Sequence, residues 1–115
     1  MEGSNIEVKE YDYDGNGGAI SNAEADTVTI FSNSNVKFEN NTATSEGGAI
    51  FNGGGEMTIT NSYFSGNNGG GFGGAIRNDG NTTITNSEFR ENRATNGGAI
   101  RHVTSGILTI NDTNF

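Results

Sequence analysis

The sequence contains no cysteine, proline or tryptophan, and only 30% of its residues are hydrophobic. Without cysteine the chain has neither disulfide bonds nor thiolate metal sites. No apolar run approaches the roughly 18 residues of a membrane-spanning helix, so direct membrane insertion is not expected. Basic residues are also scarce, with 6 Lys and Arg against 14 Asp and Glu and a net charge of −8. We therefore predict no nucleic acid partner, because such binding requires clustered basic side chains.

Low hydrophobicity combined with this charge normally indicates disorder, but the chain is built from internal repeats. It is rich in glycine, and three short motifs recur with a period of about 25 residues, interrupted by small insertions. Gly-Gly-Ala-Ile begins at Gly17, Gly47, Gly73 and Gly97. Phe-x-x-Asn begins at Phe38, Phe64 and Phe89, and again at Phe115, the last residue. A Thr-flanked apolar residue occurs at Val28, Ile59 and Ile84, and in Thr109-Ile110-Asn111.

This period suits one coil of a three-sided solenoid. A solenoid can fold with few apolar residues because each coil buries its inner side chains against its neighbours. The sequence therefore predicts an all-β fold, a right-handed parallel β-helix of about four coils of about 25 residues. We expect one domain over residues 1–115, with an N-terminal strand and turn in residues 1–16 and the repeats in residues 17–115.

The inner side chains follow from the alternation of side chains along a strand. The position after Ile in Gly-Gly-Ala-Ile holds Arg77 and Arg101, which must face solvent, so the Ile residues face inward. In the Thr-flanked motif the polar threonines face outward, so the central apolar residue faces inward. The predicted core columns are Ile20/Ile50/Ile76/Ile100, Val28/Ile59/Ile84/Ile110 and Phe38/Phe64/Phe89/Phe115.

Asparagines follow the strands at positions where the chain must turn. Stacked amides can hydrogen-bond to one another, and Asn tolerates the left-handed conformation of tight turns. His102 takes the fourth place in one column, where we interpret it as a corner residue. The predicted Asn ladders are Asn22/Asn52/Asn78, Asn61/Asn86/Asn111 and Asn41/Asn67/Asn92.

The pairing of Gly-Gly-Ala-Ile with Phe-x-x-Asn resembles the repeats of the polymorphic outer-membrane proteins of chlamydiae and of other bacterial surface proteins. The resemblance covers nearly the whole chain from Gly17 onward. It implies a β-helical passenger domain of the autotransporter type, an extracellular or cell-surface location, and a role in adhesion. Family members usually carry many more repeats, and residues 1–5 contain no signal-peptide core, so secretion is implied by the resemblance alone.

An enzymatic role is the main alternative, because many β-helices are polysaccharide lyases or hydrolases. Such sites need clustered carboxylates, or Ca²⁺ with a base, on one outer face. The acidic residues here do not recur at one position of adjacent coils. Arg77 and Arg101 should stack in adjacent coils, which allows an anion contact or two solvated arginines. We therefore expect no catalytic residue and no cofactor.

One short stretch favours weak metal binding. Asp12, Asp14 and Asn16, followed by Gly17, resemble the first half of an EF-hand loop. No flanking helices are predicted, and a plain acidic turn is the simpler interpretation. Asp12, Asp14 and Asn16 are thus candidate ligands for weak Ca²⁺ binding.

The outward threonines form a possible binding face. Flat Thr-x-Thr arrays are similar to those of ice-binding solenoids, although Thr is also a favoured exposed strand residue. The partners we expect are a surface protein or a glycan. The residues of the predicted face are Thr27, Thr29, Thr58, Thr60, Thr83 and Thr85.

The ends of the solenoid suggest one further partner, copies of the chain joined end to end. Terminal coils expose unpaired backbone. The strand that contains Ile6 and Val8 could stack on Ile110 of another copy, and such head-to-tail contacts propagate into fibres. A stretch cut from a longer β-helix would expose the same surfaces.

Overall fold

The computed structural model describes residues 5–9, 12–13, 17–22, 27–30, 35–103 and 106–115. Within these residues the regular secondary structure consists of short β-strands, and no helix is long and apolar enough to cross a membrane. The strands are β1 Asn5–Lys9, β2 Asp12–Tyr13, β3 Ile20–Asn22, β4 Thr27–Ile30, β5 Asn35–Glu39, β6 Thr42–Ala43, β7 Ile50–Asn52, β8 Glu56–Thr60, β9 Ser62–Ser65, β10 Ile76–Asn78, β11 Asn81–Thr85, β12 Glu88–Arg90, β13 Ile100–His102 and β14 Leu108–Asn111.

The strands form three four-stranded sheets, and every pairing within them is parallel. We call them the Phe sheet (β1, β5, β9, β12), the Arg sheet (β3, β7, β10, β13) and the Thr sheet (β4, β8, β11, β14). Each coil visits the Phe, Arg and Thr sheets in turn, and a two-stranded sheet of β2 and β6 lies between the Phe and Arg sheets. The prediction of a right-handed parallel β-helix is confirmed.

The core of the helix consists of stacked apolar side chains. In the Phe sheet, the ring centroids of Phe38, Phe64 and Phe89 lie 4.7 and 4.6 Å apart, and Phe115 follows at 5.0 Å. In the Arg sheet, the Ile column is fully buried at its centre and half-buried at Ile20 and Ile100. Burial therefore falls towards both ends of the Ile column, and in the last coil of the Phe column Phe115 is 65% exposed.

The predicted column of Val28 with Ile59 is wrong by two residues. Val28 pairs with Met57, and it is Ile30 that pairs with Ile59. The register columns of the Thr sheet are thus Ile30/Ile59/Ile84/Ile110 and Val28/Met57/Thr82/Leu108. Their two central coils, with Met57, Ile59, Thr82 and Ile84, are buried. A shift of two residues keeps every side chain on its own face, so the alternation in Thr27-Val28-Thr29-Ile30 is compatible with both registers.

Two asparagine ladders stabilise the corners from inside. One runs from Asn22 Nδ2 to Asn52 Oδ1 at 2.9 Å and from Asn52 Nδ2 to Asn78 Oδ1 at 3.0 Å. It ends where Asn78 Nδ2 meets His102 Nδ1 at 3.0 Å. The other, the buried amide ladder, consists of Asn41, Asn67 and Asn92, and its side-chain amides are joined at 3.0 and 2.9 Å.

The third asparagine column differs from the prediction at its end. Asn61 and Asn86 occupy the left-handed region with φ of 55° and 53°, as does Asp112 with φ of 48°. Asn111 pairs instead with Thr85, because it replaces the second threonine of the motif in the last coil. The corner column is therefore Asn61/Asn86/Asp112, and it turns the chain from the Thr sheet into the Phe sheet.

The glycine pairs allow the coils to approach each other by their backbones. Gly47 and Gly73 have φ of 68° and 70°, a backbone conformation that residues other than glycine rarely adopt. A Cβ atom on the second glycine, at Gly48, would collide with the carbonyl oxygen of Gly74 in the next coil. The pairs therefore form a strip along the helix axis that carries no side chains, which we call the glycine seam.

The first strand continues the Phe sheet. Ile6 pairs with Val36, and Val8 pairs with Phe38. The expectation that Ile6 and Val8 share a coil position with Ile110 is therefore wrong, because Ile110 belongs to the Thr sheet. The alternation in Ile6-Glu7-Val8 indicates a strand but does not indicate the sheet to which that strand belongs.

Candidate functional site

The outer side of the Thr sheet presents short hydroxyl side chains. Thr58 and Thr83 are exposed, and Thr60 and Thr85 are half-buried. These four residues, which we call the threonine face, pair coil on coil. The threonine face is therefore uncharged. Because threonine is β-branched, its side chain has few rotamers to lose on binding.

The register of the first coil changes the extent of the predicted array. Thr29 pairs with Thr58, so the central file runs through Thr29, Thr58, Thr83 and Thr109 in four consecutive coils. Thr27 pairs with Glu56 and therefore lies outside the threonine face. The two-file Thr-x-Thr array expected for an ice-binding surface is limited to two coils, because Asn111 pairs with Thr85.

A groove lies beside the corner column, between the Thr and Phe sheets. It has a volume of about 670 Å³. Its lining mixes the phenol of Tyr63 with charges of both signs, including Lys37 and Glu88. Along its wall, Asn86 Nδ2 donates to Asn61 Oδ1 at 2.6 Å. Sequence reasoning missed this groove because the spacing of motifs along the chain does not report the concavity of the surface between two sheets.

The outer side of the Arg sheet carries the predicted pair of arginines. Arg77 and Arg101 are register partners in adjacent coils, and Phe51 precedes them in the same file. Arg77 forms ion pairs with Glu46 and with Asp79. The ring of Phe72 lies beside both arginines, and its centroid is 4.5 Å from Cζ of Arg101 and 5.5 Å from Cζ of Arg77.

Of the three predicted calcium ligands, only Asp12 lies within the described residues. Asp12 lies in β2, where it pairs with Thr42, and Asp14 and Asn16 lie outside the described residues. Among the described residues, no group of three His, Cys, Asp or Glu side chains is close enough to hold a metal ion. Weak Ca²⁺ binding by Asp12, Asp14 and Asn16 stays a prediction.

The residues beside the arginines that sequence reasoning missed lie outside the named strands, at isolated bridges between coils. Glu46 and Phe72 occupy equivalent positions of adjacent coils, as shown by their bridge partners. Each lies directly before a Gly-Gly-Ala-Ile motif, so an alignment on that motif would have placed each one near the arginine of the following coil. The outward file of the Arg sheet was predicted, but its neighbours were not.

The coil geometry, with parallel sheets and inward columns of Ile, Phe and Asn, defines a parallel β-helix. A family model described as the right handed beta helix region matches residues 2–115. The chain therefore belongs to the right-handed β-helix family. No curated protein and no solved structure matches the chain.

Proposed function

We propose that this chain is a non-catalytic module of a cell surface or of the extracellular space, similar to an adhesin or to an autotransporter passenger. It presents a repetitive face to a partner, which is a surface protein or a glycan. The observation that carries this proposal is the file of threonines in four consecutive coils of the Thr sheet.

The threonine face is uncharged, and its β-branched side chains are stiff. The chain as a whole carries a net charge of −8, yet Thr58, Thr60, Thr83 and Thr85 form an uncharged patch. Each hydroxyl can both donate and accept a hydrogen bond. Consecutive coils repeat the pattern at the spacing of parallel strands, about 4.8 Å, so the face suits a partner with regularly spaced polar groups.

The surface location rests on the resemblance of the repeats to those of bacterial surface proteins. Membership of the β-helix family supports the fold of such a passenger, and a fold alone does not fix a function. The proposal therefore needs a test in which the threonine face itself is altered.

The test measures binding of the purified chain to an array of glycans and immobilised extracellular-matrix proteins. The variant Thr58→Lys/Thr83→Lys places two long charged side chains on the threonine face. We expect it to lose binding that the unaltered chain shows. The matched control, Thr44→Lys/Thr95→Lys, makes the same chemical change at exposed positions outside the Thr sheet.

Equal binding by the two double variants would contradict a role for the threonine face. Incubation with a panel of polyuronides tests the non-catalytic part of the proposal separately. Release of unsaturated or reducing sugars would overturn it and would make the chain an enzyme.

A second candidate function is head-to-tail association of copies into a fibre. The apolar side chains of the last coil favour it, since Ile107 and Phe115 are each 65% exposed and Ile110 is 38% exposed. A further coil in a longer protein would cover the same side chains. If copies associate end to end, sedimentation of the 115-residue chain at high salt should show a series of oligomers, and Ile110→Lys should abolish them. A single species with the mass of one chain would exclude this function.

A further inference from the structure

Arg77 and Arg101 are equivalent residues of adjacent coils, but only Arg77 has its charge neutralised. Arg77 Nη2 donates to Asp79 Oδ2 at 3.2 Å, and Nε contacts the other oxygen of the same carboxylate. Nη1 contacts the Glu46 carboxylate. Only 14% of the Arg77 side chain is exposed, so its guanidinium is enclosed between two carboxylates.

At the two positions equivalent to these carboxylates, Arg101 has apolar side chains. The residue equivalent to Glu46 is Phe72, as the bridges Glu46–Phe72 and Phe72–Asn96 show. The residue equivalent to Asp79, two positions after the arginine, is Val103. Arg101 thus has the ring of Phe72 against its guanidinium at 4.5 Å where Arg77 has a carboxylate.

Within the part of the chain that the structure describes, this exchange leaves the guanidinium of Arg101 beside apolar side chains and without a carboxylate partner. Arg101 is half-buried, and none of the ion pairs among the described residues includes it. A guanidinium remains charged at all physiological pH values, and it binds carboxylates through two parallel hydrogen bonds. Partial removal from water strengthens its attraction for an anion.

We propose that Arg101, Phe72 and Val103 form a binding site for a small organic carboxylate with an apolar body. The carboxylate pairs with the guanidinium edge of Arg101, as Asp79 does with Arg77. The apolar body packs against Phe72 and Val103, at the two positions where charged residues surround Arg77. The site lies on the Arg sheet and does not depend on the threonine face.

The experiment follows the arginine side chains of the full chain by ¹H–¹⁵N NMR during titration with benzoate at constant ionic strength. The Nε–H signal of Arg101 should shift saturably. The signal of Arg90, whose Nε already pairs with Glu88 Oε2 at 2.9 Å, should not shift. Benzyl alcohol, which has the same ring without the charge, should leave both signals in place.

Two variants distinguish the proposed site from general ion pairing. Arg101→Gln should weaken benzoate binding by about tenfold or more, the loss expected for a charge-assisted bidentate pair. Val103→Asp restores the carboxylate that Asp79 supplies one coil earlier, and it should block benzoate while leaving Arg101 in place. Arg90→Gln is the control and should bind benzoate as the unaltered chain does.

Equal shifts of Arg90 and Arg101, or a linear response without saturation, would overturn the proposal. Unchanged affinity in both Arg101→Gln and Val103→Asp would also overturn it. The backbone NMR spectrum of each variant reports whether the β-helix is retained, and if Arg101→Gln unfolds, Val103→Asp still decides the question.

Discussion

The buried amide ladder and the corner column contain the same residue type in the same periodic arrangement, but their environments are opposite. In the buried amide ladder, Asn67 donates to Phe38 O and Asn92 Oδ1, each at 2.9 Å. It also accepts from the backbone N of Asn41 at 2.9 Å. In the corner column, Asn86 is exposed and has φ of 53°.

The difference shows that asparagine is used for two separate physical properties. In the ladder, the amide satisfies buried backbone and side-chain groups that would otherwise have no partner. At the corner, the residue is used because Asn enters the left-handed region more readily than most residues. Position in the coil therefore decides which property matters. Substitutions by Ala and by Gly should consequently differ in their order of destabilisation between the two columns.

We expect the largest loss of stability from a substitution in the Phe column, which gives a reference for the losses in the two asparagine columns. Phe64 is fully buried between two stacked rings. Phe64→Ala should lower the free energy of unfolding by about 3–5 kcal/mol, through lost transfer energy and the cavity left behind. Urea denaturation followed by circular dichroism measures the change. A loss below that of any ladder variant would show that the amides, not the rings, dominate the core.

The next effect concerns the ladder itself. Asn67→Ala removes the side-chain hydrogen bonds to Phe38 O and to the backbone N and Nδ2 of Asn41. Asn92 Oδ1 keeps its bond from the backbone N of residue 67. Each buried group left without a partner costs about 1–3 kcal/mol, so we expect a loss of about 3 kcal/mol or more in urea denaturation. Asn67→Gly should be no better than Asn67→Ala, because neither variant restores the hydrogen bonds.

The smallest effect concerns the corner, where the order of the two substitutions should reverse. Asn86→Ala should cost about 1 kcal/mol, because alanine is strained in the left-handed region. Asn86→Gly should stay within about 0.5 kcal/mol of the unaltered chain, because glycine adopts that region freely. The same denaturation curves test both variants. If Gly were as damaging as Ala, the bond between the amides of Asn61 and Asn86 would matter more than the backbone conformation.

The fold was predictable because three motifs recur in one order and each assigns its residues to a face. The position of Arg77 and Arg101 after the isoleucines was sufficient to orient the Arg sheet. What the sequence left undetermined was register within the first coil. Val28 and Ile30 are two residues apart, and a shift of two residues keeps the alternation of faces along a strand, so only the three-dimensional pairing identifies Ile30 as the partner of Ile59.

The surfaces were less predictable than the core, for a related reason. Core columns consist of residues that repeat, whereas the contrast between Arg77 and Arg101 depends on residues that do not. Glu46 and Phe72 are unlike each other in every property that a motif search scores, although they occupy one position of the coil. The corner column likewise ends in Asp112 because the last motif carries Asn111 in place of a second threonine.

The glycine seam limits which insertions and deletions in the sequence a β-helix of this kind can accept. Where Gly48 faces Gly74, the neighbouring coils meet through their backbones, and no side chain is present that could shrink or grow to absorb a misfit. A deletion that removes one of these glycines without a whole coil would bring a residue with a side chain into that contact. Removal of one complete period would bring another glycine there instead. Insertions and deletions at the seam are therefore tolerated only as whole coils, so the length of the helix changes in discrete steps.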